Sequence, residues 1–269
     1  MTKYWTTFKV GLSERLVYRF NFFAGVFVNF LPLVTQFFLW SAVFATRDDE
    51  PIAGYTLSSM MAYYMLIHVA RSFSSMPQLA RTTATEIRDG ELNKYLIRPI
   101  DYMGYTLSLR VAHKLCYYLM ASLPFAVVFT WLIYSGYFAP WPGWETFFYF
   151  ALSLAMAFTI GFLLHMMFGL IGFWFLEVNT FLFLYFMVAY FFSGHMIPLD
   201  LLPPWLKGIV MNLPFKYEAY FPVTVYLGRY SSEELMVEFG VEALWILGLL
   251  IIVKTLYRRG LKRYGAYGG

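Results

Sequence analysis

Six runs of this chain are long and apolar enough to cross a bilayer, at residues 22–45, 55–75, 108–134, 146–175, 178–197 and 237–257. A helix rises about 1.5 Å per residue, so about 20 apolar residues cover a hydrocarbon core of about 30 Å. The runs therefore set the fold class as all-α integral membrane, with six transmembrane helices. Composition agrees, because the chain is 60% hydrophobic and 13% charged, whereas a soluble domain carries about 25% charged residues. Six crossings use up most of the 269 residues, so a single transmembrane domain over 1–269 is the natural count. One cysteine, Cys116, excludes an intrachain disulfide. The amino-terminal twenty residues lack the apolar core and small-residue cleavage site of a signal peptide.

Lysine and arginine set the orientation. If the amino end is cytoplasmic, that side receives Lys3, Lys9, Arg15 and Arg19. It also receives the six basic residues between Arg81 and Lys114 and the five between Lys254 and Arg263. The other side receives Arg47, Lys207, Lys216 and Arg229, and Arg71 falls near the inner end of a run. Basic residues are retained on the cytoplasmic face, so both termini are expected there. The acidic residues Asp48, Asp49, Glu50, Glu233 and Glu234 precede the second and sixth runs on the outer side.

Residues 1–21 read as a helix lying in the headgroup plane. Trp5, Phe8, Leu12, Leu16 and Phe20 recur at helical spacing, and Lys3, Lys9, Arg15 and Arg19 occupy other faces. A basic anchor for lipid phosphates and a brace for a cytoplasmic partner both fit this pattern. No acidic or basic residue is placed in the middle of any of the six runs, although ion-coupled carriers usually keep an ionisable group or a broken helix there. The chain contains no Gly-Lys pair for a phosphate loop, and no His-Glu-x-x-His or nucleophile elbow. His68, His113 and His165 have no second ligand at metal spacing, so no metal and no catalytic residue is expected. Energy for uphill movement would have to enter from another subunit.

The stretch Glu86–Ile100, EIRDGELNKYLIRPI, breaks the apolar pattern with six charged residues, and the orientation puts it in the cytoplasm between the second and third runs. Gly90 suits a helix end, Leu92, Tyr95 and Leu96 fall on one face of a short helix, and Pro99 stops it. Charges take the remaining faces. Such an element fits a groove on a soluble protein, and a solvated loop obeying the charge rule has the same spacing.

Ile87, Gly90, Leu92, Leu96, Arg98 and Pro99 resemble the I-x-x-G-x-L-x-x-x-L-x-R-P segment of bacterial ABC transporter permeases of the type-2 export class, in the daunorubicin-resistance-like branch. Ser193–Tyr217, SGHMIPLDLLPPWLKGIVMNLPFKY, is similar to the signature that follows the fifth span in that class. The resemblance implies that two permease chains, the same or sisters, sit on two copies of a cytoplasmic ABC ATPase that binds Mg-ATP. It implies a coupling segment over 76–107, with Arg88, Asp89, Gly90, Glu91, Leu92, Leu96, Arg98 and Pro99 meeting the ATPase. It further implies a bacterial cytoplasmic membrane as location and no cofactor in this chain itself.

Residues 198–235 form the outer segment. Leu201, Leu202, Trp205, Leu206, Ile209, Val210 and Leu213 fall on one side of a helix, Pro203 and Pro204 suit its first turn, and Asp200 suits its cap. A helix dipping into the outer leaflet and one that only shields loops are both consistent with the pattern. The resemblance implies an outer gate that includes Gly194, Pro198, Pro203, Pro204, Trp205, Pro214, Phe215 and Tyr217. Asn29, Pro32, Gln36 and Trp40 share a face of the first run, so Asn29 and Gln36 are candidates for a pathway or a subunit contact. Ser153, Ala157, Gly161, His165 and Gly169 repeat every fourth residue, the pattern of a close helix seam.

The expectation is a transporter permease subunit, not an enzyme, that moves an amphipathic or lipid-like molecule such as a drug, lipid or lipid-linked glycan. Its partners would be the ATPase, a second permease chain and the bilayer, with no nucleic acid. Two rivals are an ion-coupled secondary transporter and a lipid-processing membrane enzyme using His195, Asp200 and Glu218.

Overall fold

The computed structural model describes residues 2–17, 31–46, 50–136, 141–175 and 177–264. Those residues are helical and contain no strand; a single isolated bridge pairs Ile52 with Tyr55. Three helical stretches are long and apolar enough to cross a membrane, Tyr102–Tyr134, Trp144–Phe173 and Ser232–Arg263, and shorter apolar helices cover Leu31–Ala45 and Asn179–Phe192. The protein is all-α and membrane-integral, as its apolar runs predict. The chain divides into two compact units, Met1–Leu66 with Ile100–Trp141, and Ile67–Pro99 with Pro142–Gly269.

In the first unit, α1 (Thr2–Val17) packs against α6 (Tyr102–Tyr134). Small residues let the two backbones approach: Gly11 meets Leu109 and Ala112, and Gly104 meets the ring of Tyr4. Trp5 stays exposed on α1, stacked on Phe8 at 5.2 Å with the Lys9 ammonium 5.4 Å from its ring. Tyr4 and Gly11 reach α6 instead because a glycine admits a closer approach than any indole. The side chains of Arg15, Leu16, Arg19 and Phe20 lie outside the described residues. Asp101 caps α6 by accepting the Gly104 N–H at 2.6 Å, which starts that helix six residues before the predicted run.

The same unit holds α2 (Leu31–Ala45) and the first part of α3 (Leu57–Ser74). Thr56 and Ser59 cap α3 reciprocally, each side-chain oxygen accepting the other's backbone N–H. A cavity of about 140 Å³ lies among α2, α3 and α6, lined by Val34, Phe37, Tyr64, Met65 and Trp131 among others.

The second unit is built on α7 (Trp144–Gly169). Its four-residue repeat, Ser153, Ala157, Gly161, His165 and Gly169, is buried throughout. A Cβ on Gly161 would strike the Ser74 carbonyl at the end of α3, and one on Gly169 would strike Ala80 and Thr83 of α4 (Pro77–Arg88). His165 is a packing residue: Nε2 accepts the Met76 N–H at 3.2 Å, so the proton sits on Nδ1, 2.7 Å from the Gly161 carbonyl. The short helix α8 (Asn179–Phe192) lays Val178 and Leu182 against Ala80 and Ala84 of α4.

After α8 the chain turns at Ser193 and Gly194 (φ +78°) and continues as short pieces: a 3-10 turn Leu199–Leu201, α9 (Pro204–Val210), a 3-10 turn Pro214–Glu218, and α10 (Tyr220–Tyr226). Prolines at 198, 203, 204 and 214 lack amide donors and cut the segment into single turns, which is why one continuous interfacial helix does not form. In α9 Trp205 and Ile209 are exposed, whereas α10 is buried at all seven positions and packs on α7. The last helix, α11 (Ser232–Arg263), starts at a full capping box between Ser231 and Glu234 and so begins five residues before the predicted run.

Candidate functional site

The charged stretch folds as a tight elbow. In α4, Leu79, Ala80, Thr83, Ala84 and Ile87 form the buried face, and Arg81, Thr85 and Arg88 are exposed. Asp89 ends the helix and Gly90 takes φ +76°, a left-handed conformation that a side chain would strain. That turn lets the Gly90 N–H reach the Ile87 carbonyl and the Leu92 N–H reach the Glu86 carbonyl at 3.0 Å. A single-turn helix, α5 (Asn93–Leu96), follows.

Leu92 and Tyr95 anchor the elbow from beneath, the Tyr95 hydroxyl donating to Glu86 at 3.0 Å. Leu96 is not part of that face: it is 45% exposed and Ile97 is 84% exposed, so both point outward with Arg98 and Pro99. Four residues are too few to hold a third apolar position against α4 once Leu92 and Tyr95 fill the contact. The charges are arranged locally: Arg88 Nε donates to Asp89 at 2.8 Å, and Lys94 Nζ donates to Glu91 at 2.7 Å and lies 3.5 Å from Glu86. The Arg88 guanidinium, through that hydrogen bond, holds the Asp89 carboxyl below its usual range, and the Glu91 hydrogen bond raises the Lys94 ammonium.

A second constellation lies inside the second unit. Arg71 of α3 meets Glu218 at 2.7 Å, with the Glu218 side chain wholly buried, and its guanidinium lies 6.0 Å from the Tyr190 ring. His195 packs edge-on to His68 at 5.2 Å and to Tyr190 at 4.6 Å. Lys216 and the Tyr217 hydroxyl both donate to Glu238 of α11, at 2.9 and 2.7 Å. Asp200 accepts from Lys207 and from the Tyr220 hydroxyl at 2.9 Å each, and Arg229 lies 3.4 Å away. Asp200 therefore ties the outer segment's pieces together and does not cap α9, whose N-cap is Pro203. Burial pushes the Tyr230 phenol up to about 12.

The elbow thus gathers Arg88, Asp89, Gly90, Glu91, Leu92, Leu96, Arg98 and Pro99 into one contiguous feature. In the outer segment, Pro214 and Tyr217 are buried, Phe215 packs on Phe192 at 6.2 Å, and Trp205 is 69% exposed. Gly194, Pro198, Pro203 and Pro204 supply its turns. Gln36 accepts a hydrogen bond from Trp40 Nε1 at 3.1 Å, and Asn29 lies outside the described residues. His195, Asp200 and Glu218 engage separate partners.

Sequence reasoning missed the buried charges. Glu218 was placed outside the membrane and Arg71 at the inner end of a run, yet they touch. The prolines fold Glu218 inward, and the early start of α11 carries Glu238 and Glu242 deeper into that helix than the predicted boundary allows. The one available signal was the pair of glutamates four apart at the edge of an apolar run. Among the described residues, no group of three or more His, Cys, Asp or Glu side chains is placed to hold a metal.

The family model for ABC-2 family transporter proteins matches residues 30–268. No curated protein matches the chain. The match takes in nearly all of the helical body, with both the elbow and the proline-broken segment: the chain belongs to the ABC-2 family, the membrane-spanning permeases of ABC transporters.

Proposed function

We propose that this permease works in an exporter of an amphipathic or lipid-like molecule in a bacterial cytoplasmic membrane. A second permease chain, the same or a sister, completes the pathway, and two cytoplasmic ABC ATPases bind Mg-ATP and dock on the elbow. The observation that carries this reading is the outward-facing Leu96 and Ile97 on a turn that is itself rigidly seated by Leu92, Tyr95 and the Gly90 bend. Exposed apolar side chains in a stretch that also exposes Arg88, Glu91 and Arg98 suit a groove on a soluble partner. Force applied there passes into α4, whose buried face is keyed into α7 and the turn Leu170–Phe173. Closure of the ATPases then drives alternation of access by rigid-body rocking of helices.

In the same reading both termini are cytoplasmic, in keeping with the exposed Lys254, Arg258, Arg259, Lys262 and Arg263 at the end of α11. Gly194, Pro198, Pro203, Pro204, Trp205, Pro214, Phe215 and Tyr217 close the outer end, and Asn29 and Gln36 contribute to the path.

Ile97→Asp tests the docking. Burying an isoleucine side chain contributes about 1.5–3 kcal/mol, so ATPase co-purification should fall roughly ten- to hundredfold. Expression and thermal unfolding of the permease should stay as in the parent, because Ile97 is 84% exposed. Undiminished capture of the ATPase by Ile97→Asp, and by a joint charge reversal at Arg88 and Glu91, would dismiss the elbow as its dock.

A further inference from the structure

Pairing the buried charges of the second unit leaves one carboxyl over. Glu218 takes Arg71, and Glu238 takes Lys216 and Tyr217. Glu242, one turn further along α11, is wholly buried, and among the described residues neither of its carboxyl oxygens has a hydrogen-bond partner. It lies ten residues into α11, about 15 Å along an axis that rises 1.5 Å per residue.

The groups that face it come from two elements. The 3-10 turn Pro214–Glu218 presents Lys216 and Tyr217, and α11 itself presents Glu238. On α7, Tyr149 packs its ring 6.0 Å from Phe239 and Glu145 is exposed at that helix's first turn, so neither is placed against Glu242. Tyr230, just before α11, is turned toward Phe221 at 5.5 Å. The turn Leu170–Phe173 adds no titratable side chain. The one cation among these groups, Lys216, already holds Glu238 at 2.8 Å. A second carboxylate beside Glu238, without a hydrogen bond or cation of its own, costs more than the net stability of a domain, and such a group avoids that cost by binding a proton.

We propose that Glu242 is a proton-binding site: its carboxyl is neutral in this conformation and ionises only when the turn Pro214–Glu218 shifts from α11. Protonation forms one O–H bond with a proton from water, and ionisation returns it. The link to movement rests on the reading of the outer segment as a gate; the neutral carboxyl does not.

Infrared spectroscopy of the full-length permease in nanodiscs tests the carboxyl without ATPase or substrate. At neutral pH the parent should show a protonated-carboxyl stretch that shifts with carbon-13 glutamate labelling and disappears in Glu242→Gln. In Glu242→Asp the band should respond to labelled aspartate instead, which decides the matter even if the amide variant folds poorly. A parent spectrum with no glutamate-sensitive band, or a band that survives unchanged in both variants, overturns the site. For the link to movement, ATP hydrolysis by the assembled transporter should lose the alkaline limb of its pH profile in Glu242→Gln. An identical profile in parent and variant removes that link while leaving the docking of the ATPase untouched.

Discussion

Replacing Glu218 by Gln removes the partner of Arg71 and leaves the guanidinium in place. The two groups meet at 2.7 Å, with Glu218 fully buried and the Arg71 side chain 15% exposed. Breaking a buried pair by deleting one member costs about 3–5 kcal/mol, because the survivor stays desolvated without its counter-charge. Arg71 keeps a sliver of exposure and the Tyr190 face at 6.0 Å, and a cation over an aromatic ring retains about 0.5–2 kcal/mol. The loss should therefore fall at the lower end, about 3 kcal/mol.

Replacing both residues together, Arg71→Met with Glu218→Leu, removes both desolvation costs and should bring stability back to within about 1 kcal/mol of the parent or above it. The cycle of parent, Arg71→Met, Glu218→Leu and the double variant should then show a coupling energy greater than about 2 kcal/mol. Denaturant-titrated unfolding of the full chain in micelles reads all four corners. A Glu218→Gln variant within about 0.5 kcal/mol of the parent, together with Arg71→Met and Glu218→Leu effects that simply add in the double variant, would mean that the pair is not a buried contact.

Gly161→Ala should destabilise the same unfolding transition by about 1–3 kcal/mol, because the new methyl group meets the Ser74 backbone, which cannot swing aside. Gly248→Ala is its counterpart: nothing lies within 4 Å of an added Cβ there, so the helix should gain up to about 1 kcal/mol, and equal effects at the two sites would contradict the seam. The elbow should keep its geometry between roughly pH 5 and 9, inside the ordinary Asp and Lys values of about 3.9 and 10.4. Asp89 is held low by Arg88, so its contribution is present above the unfolded Asp value and is lost as pH falls through the folded one. Lys94 is raised by Glu91, so its contribution is complete below the unfolded Lys value and is lost as pH rises through the folded one. Amide exchange at Gly90 and Leu92, corrected for its intrinsic pH dependence, should show protection flat across that window; a step near neutrality would contradict these assignments.

The three longest apolar helices were legible because hydropathy summed over 20 or more residues survives errors in any single one. The elbow was legible for the opposite reason, since a charged stretch inside an oily chain has one place to go. Its detail was not: Leu92, Tyr95 and Leu96 share a face on a helical wheel, but a one-turn helix is oriented by what it rests on, and Leu96 is left half-exposed while Leu92 and Tyr95 are buried. The helix of the outer segment was legible but not its length or its cap, because the prolines act on hydrogen bonds that a periodicity count ignores. The contact of α1 with α6 was equally illegible, since Gly11 carries no hydrophobic signal and yet decides how closely α1 approaches α6.

By itself the sequence determined that this chain is helical and membrane-bound, and where its polar interruptions fall, because water and lipid act on every residue according to its own chemistry. Only the tertiary structure decided that Arg71 meets Glu218, that Lys216 and Tyr217 share Glu238, and that Glu242 is left over. Partners brought together from 147 positions apart, as Arg71 and Glu218 are, leave no local trace. Whether a buried charge has a partner depends on which helices meet.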